Sequence, residues 1–149
     1  MTIWLVRHAI AGPRRAWQGR DELRPLEPRG HDQAQRLAEH LADAGVERVV
    51  SSPARRCVQT VAPLADATGL EVEVAGALAE GAPAARARAL ADPGSVLCTH
   101  GDVIPAVVRL LVAGGMVVDG DQGCAMASTW EIETDDDGSP VGASYHRLD

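Results

Sequence analysis

The chain has 149 residues, 46% hydrophobic and 23% charged, which suits one globular domain read here as residues 1–149. Its formal net charge of −7 argues against a protein that coats nucleic acid, because phosphate backbones need a basic face. No apolar run approaches the roughly 18 residues that cross a bilayer, and the N-terminal run is too short for a signal peptide, so the expected location is cytoplasmic. Cys57, Cys98 and Cys124 stand apart, without zinc-site spacing, and are expected to be reduced thiols in or near the core. All 14 basic residues are arginine, and six of them (Arg7, Arg14, Arg15, Arg20, Arg24 and Arg29) fall between residues 7 and 29. A basic region on an acidic protein implies a local anion site.

The first predicted element is a strand at Ile3-Trp4-Leu5-Val6, a continuous apolar run of the kind buried on both faces. Arg7 and His8 follow where that strand would emerge. Residues 10–29 carry Gly12, Pro13, Gly19, Pro25 and Pro28 without apolar periodicity and read as a long loop, a feature that is usually functional. From Gly30 the pattern is helical, with Ala34, Leu37, Ala38 and Leu41 on one face and Gly45 as a stop. Val46–Ser51 reads as a second strand. Pro53 then opens a helix in its first turn, with Val58, Val61, Ala62 and Ala65 inward and an end near Gly69.

Residues 70–74 form a short third strand, 75–82 a Gly/Ala loop whose one charged residue is Glu80, and 84–91 a weak Ala-rich helix. Ser95–Cys98 is a fourth buried strand ending at Thr99-His100-Gly101, and a helix follows over 102–113. Met126–Thr134 and Val141–Arg147 are two strands joined by an Asp/Gly/Ser/Pro turn, a hairpin. Alternating strands and helices followed by a hairpin predict an α/β fold: a three-layer α/β/α sandwich on a mostly parallel sheet.

In such folds ligands bind beyond the C-terminal ends of the strands. Three exits carry unusual groups there: Arg7-His8, Ser51-Ser52-Pro53-Ala54-Arg55-Arg56, and Thr99-His100-Gly101. The topology can bring two imidazoles and two guanidiniums into one crevice. Guanidiniums bind phosphate oxygens in bidentate fashion, and neighbouring cations push an imidazole towards its neutral, nucleophilic form. The set suits a phosphoryl group accepted by a histidine.

The motifs Leu-Val-Arg-His-Ala, Ser-Ser-Pro-Ala-Arg-Arg-Cys-Val-Gln-Thr and Thr-His-Gly, in this order, resemble those of the histidine phosphatase superfamily. Arg-Pro-Leu-Glu-Pro-Arg-Gly before the first helix is similar to the small, SixA-type branch. Ala-Gly-Pro-Arg-Arg-Ala-Trp and Ser-Thr-Trp-Glu-Ile are closer to the phosphatase-like domain attached to some MutT-type Nudix hydrolases. The resemblance implies a phosphoglycerate mutase-like fold without a cap domain, and a metal-independent phosphatase in which His8 becomes a phosphohistidine. It implies that Arg7, Arg56 and His100 hold the oxygens of the transferring group, with no cofactor. Arg56 is preferred to Arg55 because Thr60 lies four residues beyond it, as in the family motif. Glu80 is the one carboxylate in the loop from which the family takes its general acid, although a solvated loop residue is the other reading. Ala9 replaces the more common glycine, and the pattern that follows the histidine in glycolytic mutases is absent.

Around this set, Gly101 and Arg24 are candidate substrate contacts, with an exposed salt bridge the alternative for Arg24. Arg14 and Trp17 could meet a phosphate chain and stack on a base, although a loop tryptophan can equally cap the core. His31, His40 and His146 receive no role. The expected substrate is a phosphorylated protein, through phosphohistidine, or a small phosphorylated metabolite such as a nucleotide, with no nucleic acid polymer and no membrane as partner. The alternative is a phosphate-binding or regulatory module that keeps the pocket without turnover.

Overall fold

A computed structural model describes residues 1–148, so Asp149 lies outside it. Seven strands form one mixed sheet: β1 (Thr2–Arg7), β2 (Arg48–Ser51), β3 (Val72–Val74), β4 (Ser95–Thr99), β5 (Val117–Asp119), β6 (Thr129–Thr134) and β7 (Pro140–His146). Their order is β3-β2-β4-β1-β6-β7-β5, and β6 alone runs against the others. The helices are α1 (Pro28–Leu41), α2 (Arg55–Thr68), α3 (Ala84–Arg88) and α4 (Val103–Ala113).

The β1 run is apolar throughout because both of its faces are covered. Ile3 and Leu5 pack with Val103, Ile104 and Val107 of α4 and Ala87 of α3. Trp4 and Val6 point the other way, onto Leu37 and Leu41 of α1 and Val61 and Leu64 of α2. The layers are therefore α1 and α2, the sheet, then α3 and α4, the three-layer α/β/α arrangement expected. No separate cap domain is present among the described residues.

The chain leaves β1 and β2 towards the α1/α2 face and leaves β4 towards the α4 face. Neighbouring strands whose connections depart to opposite faces leave a crevice between their exits. The register places Arg7 of β1 beside Thr99 of β4, and Ser51 of β2 beside Cys98. Ladder bonds continue into the exits, with His8 N–H donating to Thr99 O and Ser52 N–H to Cys98 O.

Several boundaries differ from the expectations. β5 was not expected; three largely exposed residues between Gly115 and Gly120 give too short a signal, and it pairs in parallel with β7 to form the sheet edge. The 10–29 loop contains 3-10 turns at Arg14–Ala16 and Asp21–Leu23 and a bridge between Ala11 and Leu26. α1 starts earlier than Gly30, with Pro28 in its first turn. Pro53 does not open α2; it precedes the N-cap Ala54, and the helix begins at Arg55. β2 starts at Arg48, β3 at Val72, and α3 stops at Arg88. β6 starts at Thr129 and excludes Met126, because Ala127 takes a positive φ of 63° and turns the chain. Its N–H donates to the carbonyls of Arg7 and His8, which ties this turn to the β1 exit.

Candidate active site

The three strand exits bring Arg7, His8, Arg56 and His100 to one crevice. His8 is 6% exposed and His100 2%, with ring centroids 5.5 Å apart in an edge-to-face arrangement. The His8 Nδ1 lies 2.8 Å from Ala9 O. A carbonyl only accepts, so Nδ1 carries the proton and Nε2 keeps its lone pair. Burial pushes the His8 pKa down from 6.5 to about 4, helped by His100, Arg56 and Arg7 and opposed by the Ala9 bond. At neutral pH the ring is uncharged.

Thr60 explains its place in the motif. Its hydroxyl donates to Arg56 O at 2.7 Å and accepts from Ala9 N–H at 2.9 Å, which joins the first turn of α2 to the backbone beside His8. The Arg56 side chain is 1% exposed, whereas Arg55 is exposed. Arg56 Nη1 donates to Asp21 O, and Nη2 lies 3.1 Å from Asp21 Oδ2 and 3.6 Å from Glu80 Oε2. Arg7 Nη1 donates to Cys124 O at 2.7 Å. Gly101 lets that guanidinium in, since a Cβ there would stand 2.9 Å from Arg7 Cζ. Arg7 Nε and Arg56 Nε are the buried side-chain polar atoms left without a partner among the described residues. Buried donors are nearly always satisfied, so one orphan on each guanidinium sets these two arginines apart from the other buried side chains.

His100 is fixed by Ser52, whose hydroxyl lies 2.8 Å from Nε2, while Nδ1 faces Arg56 Nη2 at 3.5 Å. The Cys57 thiol packs against the same ring at 3.6 Å. Cys57 and Cys98 are buried and Cys124 is half-buried, and all three are free thiols.

Two open hollows of about 430 and 470 Å³ share Glu80 and His100 and make one crevice. The first is lined by Arg7, His8 and Gly101, the second by Ser52 and Arg56. Glu80 reaches the rim, where Oε1 accepts from Arg14 Nη2 at 2.9 Å. Arg24 is not exposed: it is 7% accessible, and it donates from Nη1 to Gly12 O and from Nε to Asp21 Oδ1. Trp17 packs in none of the core clusters; its indole N–H donates to Arg20 O, and it lines a separate apolar cleft.

Sequence reasoning missed Asp21 and Ser52. Asp21 stands among Arg14, Arg24 and Arg56. Burial alone would raise its pKa, but the Arg24 hydrogen bond and the charges of Arg56 and Arg14 outweigh that and hold it below the usual carboxylate value. Its one signal was a carboxylate inside an arginine-rich loop, three residues before Arg24. Ser52 lay within a quoted motif without a role.

The family model for the histidine phosphatase superfamily (branch 1) matches residues 3–87, which contain Arg7, His8 and Arg56. The chain belongs to the histidine phosphatase superfamily. It is 35% identical over 153 residues to an 8-oxo-(d)GTP phosphatase of Mycolicibacterium smegmatis, covering 97% of this chain and 47% of that protein. The chain thus spans about half the length of this curated relative. Among solved structures, the protein histidine phosphatase SixA complexed with tungstate superposes with a TM-score of 0.70 at 21% identity, over 99% of this chain and 95% of that one. A mycobacterial glucosyl-3-phosphoglycerate phosphatase complexed with VO3 gives a TM-score of 0.74 at 21% identity, over 97% and 96%. These superpositions match the fold.

Proposed function

We propose that the chain is a metal-independent phosphatase in which His8 Nε2 attacks phosphorus and carries the phosphoryl group as a phosphohistidine. The observation that supports this best is a neutral, buried imidazole between two guanidiniums whose Nε donors lack partners. In the reaction, the bond from phosphorus to the leaving oxygen or nitrogen breaks as the bond to Nε2 forms. Water then attacks phosphorus, and inorganic phosphate leaves with His8 restored. Arg7, Arg56 and His100 hold the oxygens of the transferring group, where positioning and charge stabilisation provide most of the catalysis. Glu80, at the rim, supplies a proton to an alkoxide leaving group.

The substrate is a phosphohistidine protein or a small phosphorylated metabolite, nucleotides included. The open crevice and the shared fold of a protein histidine phosphatase favour the first; the arginine-rich loop and the 8-oxo-(d)GTP phosphatase relative favour the second. The test is hydrolysis of a generic aryl phosphate in the presence of a chelator. Turnover that persists with EDTA and falls at least about 10⁴-fold in His8→Ala supports the reading. Equal rates for both proteins would leave a phosphate-binding module without catalysis.

A further inference from the structure

Beside the phosphoryl crevice lies a cleft that the reaction above leaves unused. Gly12, Pro13 and Arg24 line both, so the two spaces share a wall. The cleft measures about 250 Å³ and is walled by Trp17, Pro25 and Leu26, with Glu27 among its lining residues. That is smaller than the roughly 300–1,000 Å³ of pockets for drug-sized ligands, a size for one flat ring system. Trp17 is half-buried and steadied by its bond to Arg20 O, which offers a preset stacking surface.

Glu27 gives the cleft its chemical preference. This half-buried residue stands at the N-cap of α1, yet its side chain makes no capping bond. It has no ion pair or hydrogen bond with any described side chain. The other charged lining group, Arg24, is already committed to Asp21 and Gly12. An apolar slot with a free carboxylate fits a planar base that presents two adjacent N–H donors. Guanine does so with N1–H and its 2-amino group, matching the two carboxylate oxygens in bidentate fashion. Adenine would turn its N1 acceptor against the same oxygens.

We propose that this cleft is the base subsite for a guanine nucleotide whose phosphates reach His8 past Gly12 and Pro13. The proposal rests on the reading of the crevice as a phosphoryl site. Its ligand chemistry is tested separately, by binding.

His8→Ala protein would be titrated with GDP, ADP, ribose 5-phosphate and inorganic phosphate, following tryptophan fluorescence and calorimetry. Trp4 and Trp130 are 4% and 3% exposed, so a quench by bound base reports on Trp17. GDP should quench and bind about tenfold more tightly than ADP or ribose 5-phosphate, the scale of a charged hydrogen-bond pair at a half-open site. Trp17→Leu should bring GDP down to the affinity of ribose 5-phosphate. Glu27→Gln presents one acceptor and one donor, which fit an edge of either purine, and should remove most of the GDP:ADP preference. Melting curves verify that each variant is folded. Equal binding of GDP and ribose 5-phosphate, or a GDP:ADP ratio unchanged in Glu27→Gln, overturns the subsite. Failure of wild-type protein to turn over aryl phosphate strikes the phosphatase reading instead and leaves the titration to be judged by itself.

Discussion

The crevice has a floor and a rim built on different principles. On the floor, His8, Arg56 and His100 are each at most 6% exposed, and short hydrogen bonds to Ala9, Asp21 and Ser52 hold them at strand exits or in the first turn of α2. On the rim, Arg14 and Glu80 pair at 2.9 Å with side chains 61% and 45% exposed. Exposed pairs of this kind contribute about 0–1 kcal/mol and are screened by salt, so they rearrange at little cost. Under the proposed function, the floor would set the reaction and the rim would adapt to what carries the phosphate. Asp21 joins the two, since it touches Arg56 below and Arg14 above.

Substitutions that separate floor from rim test this division. After His8 itself, the largest effect is expected at Arg56, where Arg56→Lys keeps the charge but loses the planar fork. It should lower kcat by about 10²–10³, the usual loss when a preorganised donor is removed. A fall of less than about threefold would move Arg56 to the rim class.

Glu80→Gln should come next. It should lower kcat about 10²-fold for an alkyl phosphate and far less for an aryl phosphate, whose leaving group needs no proton. Equal losses on both substrates would mean that Glu80 acts through its contact with Arg56 instead of as an acid.

The last effect is on stability and is the most diagnostic of burial. His8 titrates at about 4 in the fold and about 6.5 in the unfolded chain. The unfolded state therefore binds the extra proton between these values, and stability falls as pH drops from 6.5 towards 4. At 1.36 kcal/mol per pH unit the loss attributable to His8 is about 3 kcal/mol, with none above pH 6.5. Proton-detected titration of the His8 ring checks this directly; a midpoint near 6.5 would place His8 in contact with bulk water.

The same division decides how much of the molecule was legible in the sequence. The floor residues follow apolar runs that end abruptly, so Ile3–Val6 and Ser95–Cys98 announced both a strand and its exit. Thr60, four residues beyond Arg56, pointed to the buried arginine, and the hydroxyl bridge to Ala9 is the physical reason. The rim was legible only in part: Arg14 and Glu80 stood out as candidates, but no periodicity governs residues 10–29, so their pairing did not. Asp21 gains its role from three arginines gathered by folding, and Arg24 is buried by a carbonyl at Gly12 that no spacing reveals. Ser52 was hidden differently, because its partner His100 lies 48 positions away and is joined to it only by the β2–β4 pairing. β5 was missed for its length alone.

The central claim is that His8 carries the phosphoryl group. Wild-type protein mixed with excess substrate, quenched in alkali within milliseconds and analysed by mass spectrometry of its peptides, tests it most directly. The account predicts a base-stable, acid-labile phosphate on the peptide containing His8, absent when the same protein is quenched after substrate is exhausted. Rapid release of inorganic phosphate with no label on that peptide, or a label on another residue, would contradict it.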